Sequence, residues 1–298
     1  MTNLVELVRA ELAEPVDARV GAMAAALAAR YPQAARTVLF YGSCLRTSDL
    51  DGQMLDFYVI VSSYEEAYGR SWMVRANKLI PPNVFPFEHD GLAAKYAVLS
   101  EADFLRLNTS DTLSVSVWAR FAQPARLVWS RDGAAAKAAA VAIARAAPTL
   151  LAAARPLFAG REPLDLWRQA FALTYAAELR AERKSRASSV VDADPHRYLR
   201  FTGPALAAAG LDLSAAIDPR AKRQAERLWS RRRRAGKALS VIRLAKASGT
   251  FAGGIDYIAW KINRHAGTDI AIKPWQRRWP LVGALTLLPR LLRQKAIR

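Results

Sequence analysis

The chain has 298 residues, 52% of them hydrophobic and 23% charged, with 15 Gly and 15 Pro; this buries one or two full cores and excludes disorder and fibre. A single cysteine, Cys44, excludes an internal disulfide and a zinc site built on a Cys pair, and points to a reducing compartment. The net charge of +18 is segregated: residues 1–135 hold 13 basic and 15 acidic side chains, residues 136–298 hold 31 and 11, so the second half should meet a polyanion, either nucleic acid or anionic lipid.

Leu4 to Ala13 and Ala18 to Ala29 read as helices broken apart by Pro15. The first carries Glu6 and Glu11 against Arg9, which fits neither a secretory signal nor a transit peptide, and a cytoplasmic location is expected. Thr37 to Tyr41 and Met54 to Val61 are β-branched and aromatic runs bounded by Gly and Ser, as strands should be. A helix is predicted over Tyr64 to Lys78, then an irregular loop forced by Pro81, Pro82 and Pro86. Lys95 to Leu99 is a third strand, Glu101 to Leu107 and Leu113 to Phe121 are helices, and Ala125 to Trp129 is a fourth strand. Beyond Gly133 the composition favours helix alone, over Ala134 to Ala147, Leu164 to Lys184, Pro204 to Ala209 and Ala221 to Lys246. Lys137, Arg145, Pro148 and Arg155 interrupt the Ala-rich stretch, so no segment is expected to cross a bilayer.

A strand ending in Tyr41 runs into Gly42 and Ser43, and Asp56 lies inside the next strand. Glycine lets the backbone approach a phosphate, the hydroxyl donates to a phosphate oxygen, and a strand-borne carboxylate can hold Mg²⁺ against the same triphosphate. Alternation puts Leu55, Phe57, Val59 and Val61 on one side of the strand and Asp56, Tyr58 and Ile60 on the other. This order resembles the signature of the nucleotidyltransferase fold related to DNA polymerase β. That superfamily generally carries a second carboxylate where this chain has Tyr58, so Asp49 or Asp51 would have to complete the metal site, unless both belong to a solvated turn.

Five stretches together resemble the mitochondrial-type phosphatidate cytidylyltransferase family, also called the translocator assembly and maintenance family. They are Tyr41-Gly42-Ser43, Leu55-Asp56-Phe57, Asn77 with the Pro-rich loop, Lys95-Tyr96-Ala97-Val98 with Trp118, and Ser240 to His265 with its two basic helices around a Gly turn. The resemblance implies an α+β chain: an N-terminal nucleotidyltransferase (polymerase-β-like) domain with a mixed sheet over 1–135, a mostly helical basic domain over 136–270, and an amphipathic tail over 271–298. It implies transfer of CMP from CTP to phosphatidate with release of pyrophosphate, Mg²⁺ as cofactor, and a peripheral position on the cytoplasmic face of the inner (plasma) membrane. Asp56 and Lys95 would be catalytic, with Tyr41, Gly42, Ser43 and Asn77 on the nucleotide and Asp56, Asp51 and Asp49 on the metal.

Each assignment has a plainer alternative. Lys95 could be an exposed strand-end lysine, and Asn77 could cap its helix. Arg231, Arg232, Arg243 and Lys246, with Lys261 and Arg264 beyond, form a cationic surface for lipid phosphates or a solvated helix face. Residues 275–298 interleave Trp and Leu with Arg and Lys, which suits a membrane interface or a helix docked on its own core. Two rival functions stand beside the first: a nucleotidyltransferase acting on RNA, which the Trp and Leu of the tail disfavour, and an inactive adaptor, which Tyr58 favours.

Overall fold

The computed structural model describes residues 2–47, 49–178, 190–250 and 272–275. In chain order it has α1 (Thr2–Leu12), α2 (Ala18–Ala29), β1 (Ala35–Tyr41), α3 (Ser43–Thr47), β2 (Met54–Val61), α4 (Tyr64–Tyr68), α5 (Trp72–Leu79), β3 (Asn83–His89) and β4 (Leu92–Ser100). There follow α6 (Glu101–Leu107), α7 (Ser116–Phe121), β5 (Ala125–Ser130), α8 (Gly133–Ile143), α9 (Ala146–Ala154), α10 (Pro163–Ala177), α11 (Pro195–Ala208) and α12 (Pro219–Thr250). The five strands form one mixed sheet in the order β3-β4-β2-β1-β5, with β2 and β4 parallel and the other neighbours antiparallel. The chain is therefore α+β.

Strand alternation divides the sheet into two faces. Val38, Phe40, Phe57, Val59 and Val98 pack under α2 with Met23 and Leu27. Leu39, Tyr58, Ile60 and Leu99 point the other way, into a larger cluster with Leu4, Trp118, Leu150, Trp167 and Trp229. Residues on both sides of position 135 contribute to that second cluster. The one stretch among the described residues long and apolar enough to cross a membrane, Gly133–Leu157, has 56% of its apolar window buried inside the protein, and Ile143, Leu150 and Leu151 lie in the same cluster.

Three expectations need correction. The segment expected to be an irregular loop after Pro82 contains β3, an edge strand paired antiparallel with β4 in which Pro86 lies opposite Lys95. An edge strand tolerates proline because its missing N–H faces no neighbour. The turn into β4 is Asp90-Gly91, with φ of 47° and 75°, the type that closes a two-residue hairpin. The helix predicted over Tyr64 to Lys78 is two helices, because Gly69 leaves the helix at φ +61°. In the second half, α11 starts nine residues before the predicted Pro204, where Asp194 accepts the Arg197 N–H at 3.0 Å and Pro195 opens the first turn.

A buried ion pair fastens α11 to α1. Glu11 and Arg197 are each 4% exposed. The guanidinium donates Nε to Glu11 Oε2, Nη2 to Oε1 at 2.9 Å and Nη1 to Ala122 O at 3.0 Å, and it lies over the rings of Tyr198 and Phe201. Burial alone would lower its pKa, but the Glu11 carboxylate outweighs that and raises it. Removing one partner leaves a buried charge alone, whereas removing both does not. Arg197→Met should therefore lower the unfolding free energy by about 3–5 kcal/mol, with Glu11→Leu/Arg197→Met recovering most of the loss. Urea titrations of the single and double variants check this, and equal losses in both would show that the isolated charge is not the cause.

Candidate functional site

The register of the sheet builds the site. Tyr41 lies opposite Asp56, and Asp56 opposite Lys95, so three neighbouring strands present these side chains in one row on one face. Just beyond Tyr41 the backbone turns at Gly42 with φ +100°, and a Cβ there would lie 2.8 Å from Asp56 Oδ2. Both facts require glycine, because the close approach of this turn to the carboxylate leaves no room for a side chain. Asp56 Oδ1 is buried and accepts no hydrogen bond; Lys95 Nζ sits 3.0 Å away in an ion pair outside hydrogen-bond geometry.

Above this row lies a cleft of about 130 Å³. Its floor includes Tyr41, Tyr58 and Lys95 with an apolar strip of Pro82, Val84 and Ala97, and its roof is Ser116 and Arg120 of α7 and Arg243 of α12. The Tyr41 and Tyr58 rings stand 5.3 Å apart, and both touch Phe121. Arg243 donates Nε to Pro81 O at 3.1 Å, Nη1 to Ser116 Oγ at 2.9 Å and Nη2 to Ser114 Oγ at 3.1 Å. One turn on, Lys246 donates to the carbonyls of Ile80 and, at 2.8 Å, Pro82. Two cations of α12 thus hold the loop before β3 and the start of α7 together.

Of the residues singled out by sequence, Tyr41, Lys95 and Arg243 line this cleft; Asp56 stands next to it through its ion pair with Lys95, Gly42 packs on Asp56, and Ser43 follows at the start of α3. Others lie elsewhere. Asn77 is fully buried on α5 and donates Nδ2 to Val98 O at 2.9 Å, tying its helix to β4. The Asp51 carboxylate is 79% exposed and pairs with Arg19 at 2.9 Å, and Asp49 is exposed. Arg232 is 1% exposed, sandwiched against Trp118 and Trp229, with burial lowering its pKa. With Lys246, it makes internal contacts and presents nothing to a headgroup, whereas Arg231 is exposed. Lys261, Arg264 and all of the tail except 272–275 lie outside the described residues. Cys44 is buried, and that burial raises its thiol pKa, as for a packed side chain.

Among the described residues no three His, Cys, Asp or Glu side chains cluster as metal ligands. Asp56 offers one buried carboxylate oxygen, Oδ1, without a hydrogen bond among the described residues but 3.0 Å from Lys95 Nζ, so a cation there would have a single ligand from these residues and would need the rest of its oxygens from elsewhere. The residues missed by sequence are Ser116 and Arg120. Their signal is a hydroxyl and a guanidinium inside the otherwise apolar run Val115 to Phe121, where a buried charge needs a purpose.

Gly42→Ala should lower stability by about 1–3 kcal/mol, since it combines a positive φ with a contact on Asp56; a fall in the urea midpoint at constant m-value is the measurement. Burial and the neighbouring Arg243 lower the Lys246 pKa from 10.5 to about 7. Between pH 7 and 10.5 the unfolded chain then binds more protons than the folded one, so stability rises with pH across that window. The wild type should gain up to about 1.4 kcal/mol per pH unit relative to Lys246→Met from pH 7 to 9.5, and parallel pH profiles of the two proteins would refute the assignment.

No family model and no curated protein matches this chain.

Proposed function

We propose that the chain is a nucleotidyltransferase with a polymerase-β-like catalytic unit that transfers CMP from CTP to the phosphate of phosphatidate, releasing pyrophosphate, at the cytoplasmic face of the inner (plasma) membrane. The single observation that carries the reading is the packing of the Gly42 turn against a strand carboxylate that is itself beside a lysine, at the mouth of a cleft lined by two guanidinium groups. That arrangement supports a polyphosphate at the turn and a second anion in the cleft. The identity of the base and of the lipid rests on the resemblance of Tyr41-Gly42-Ser43, Leu55-Asp56-Phe57 and Lys95-Tyr96-Ala97-Val98 to the phosphatidate cytidylyltransferase family.

The Gly42 turn lets the triphosphate approach the backbone, with the Ser43 hydroxyl as a donor at its edge. Asp56 would be the residue to hold Mg²⁺ beside the triphosphate. The chemistry Mg²⁺ supplies there is neutralisation of the triphosphate and of the leaving pyrophosphate. Lys95, 33% exposed, adds a second positive charge from the protein itself and orients the Asp56 carboxylate. An oxygen of the acceptor phosphate attacks the α-phosphorus, and the bond from that phosphorus to the bridging oxygen of pyrophosphate breaks. Because the attacking phosphate is already ionised, no general base is required.

Asp56→Asn removes the charge at nearly constant volume, and should reduce CMP transfer by at least about 100-fold while leaving the urea midpoint within the wild-type range. The assay is formation of CDP-diacylglycerol from CTP, Mg²⁺ and phosphatidate, with RNA as the competing acceptor. Turnover by the variant at wild-type rates, or transfer to RNA in preference to phosphatidate, would overturn the reading.

A further inference from the structure

Among the described residues three cations line the cleft, and their hydrogen bonds set them apart. Lys95 has Asp56 beside it at 3.0 Å. Arg243 directs each of its three nitrogens at a protein oxygen. Arg120 makes one hydrogen bond among the described residues, from Nη1 to Ser116 O at 2.9 Å, which leaves most of its planar fork for a ligand. The Tyr58 and Tyr41 phenols, with the Glu178 and Asp56 carboxylates, outweigh the effect of burial and raise its pKa, so it stays charged.

Its position relative to Gly42 is equally specific. One row of the sheet runs Tyr41, Asp56, Lys95; the next on the same face runs Leu39, Tyr58, Ala97, Val84. Gly42 lies beyond the first row, and the apolar strip of Val84 and Ala97, beside which Tyr58 stands, lies on its other side. Arg120 lines the cleft with members of both rows, Tyr41 and Lys95 of the first and Tyr58, Ala97 and Val84 of the second, so a phosphate it held would lie close to Lys95 and to the Asp56 beside it.

We propose that Arg120 binds the phosphate of the acceptor, and that the apolar strip of Pro82, Val84 and Ala97 takes the carbons attached to that phosphate. A guanidinium fork matches a phosphate monoester through two parallel hydrogen bonds. The cleft volume of about 130 Å³ equals roughly four waters at ~30 Å³ each, enough for a phosphate and its first carbons and too little for acyl chains. The chains of a lipid acceptor therefore lie outside this cleft. Arg243 is a positioning residue here, since it fixes Ser114 and Ser116 and through them the helix that carries Arg120. The choice of phosphatidate as the acceptor rests on the proposed function; the assignment of a phosphate monoester to Arg120 does not.

The test is calorimetric binding of dioctanoyl phosphatidate to the full chain in EDTA without nucleotide, beside a separate titration of CTP with Mg²⁺. Arg120→Gln should weaken phosphatidate binding by about 10-fold or more, the scale of a lost hydrogen bond to a charged group. Arg120→Lys should lose less, and CTP affinity should stay within about threefold in both variants. Inorganic phosphate should compete with dioctanoyl phosphatidate in the wild type and compete more weakly in Arg120→Gln. Unchanged phosphatidate binding in Arg120→Gln would overturn the assignment, as would equal losses for CTP and phosphatidate, or wild-type binding of dioctanoyl glycerol, which lacks the phosphate. These titrations need no turnover, so an active Asp56→Asn enzyme would sink the transfer reaction without deciding the role of Arg120.

Discussion

A shift of one residue in the pairing of β1, β2 and β4 would turn Asp56 into the apolar layer beneath α2 and put Leu55 or Phe57 on the face that Asp56 now occupies. The register that prevents this is held from behind, by Phe40, Phe57, Val59, Tyr96 and Val98 packed together against α2. Tyr31 and Tyr96 exchange a hydrogen bond at 3.2 Å within the same layer. The polar row on one face thus depends on an apolar row on the other. The parallel pairing of β2 with β4 is what sets Lys95 beside Asp56, and Gly42 can approach the carboxylate only because β1 ends where that row begins.

The front of the cleft is closed by a helix whose buried stripe is partly cationic. On α12, Ala225, Trp229, Arg232 and Gly236 fall on one face at helical spacing, and Arg243 and Lys246 continue it. A Cβ at Gly236 would lie 2.1 Å from Ala177 O, so α10 and α12 cross there in close contact. The remaining circumference, with Arg231, Arg233, Arg234 and Lys237, is exposed. The same helix therefore does two electrostatic jobs: outward it carries exposed positive charge, and inward Arg243 and Lys246 donate to carbonyls and hydroxyls.

Much of this was legible in the sequence because it depends on local pattern. Alternation placed Asp56, Tyr58 and Ile60 together on β2, and four of the five strands follow from β-branched and aromatic runs. Strand β3 was obscured by Pro86, a residue acceptable only once the strand is known to be an edge, although Asp90-Gly91 is a hairpin signal in plain view. The roles within the arginine run were hidden for a different reason. Composition marks residues 231–234 as basic, but which one turns inward is decided by the face that Trp229 buries, and Arg232 lies on it. Arg120 was missed because its neighbours across the cleft come from strands and helices far away in sequence, a proximity that no periodicity encodes.

The Glu11–Arg197 pair joins residues 186 positions apart. At a synthesis rate of about 5–20 residues per second, a nascent chain waits roughly 10–40 s between making the carboxylate and making its counter-charge. During that interval α1 has its amphipathic face but not the guanidinium that neutralises Glu11, so its final docking waits until α11 has been made. The sheet and the row that bears Asp56 are complete in sequence by Ser130 and can assemble earlier. A chain interrupted before α11 would thus carry Gly42, Asp56, Lys95 and Arg120 but lack both Arg243 at the cleft and the contact that seals its first helix to the core.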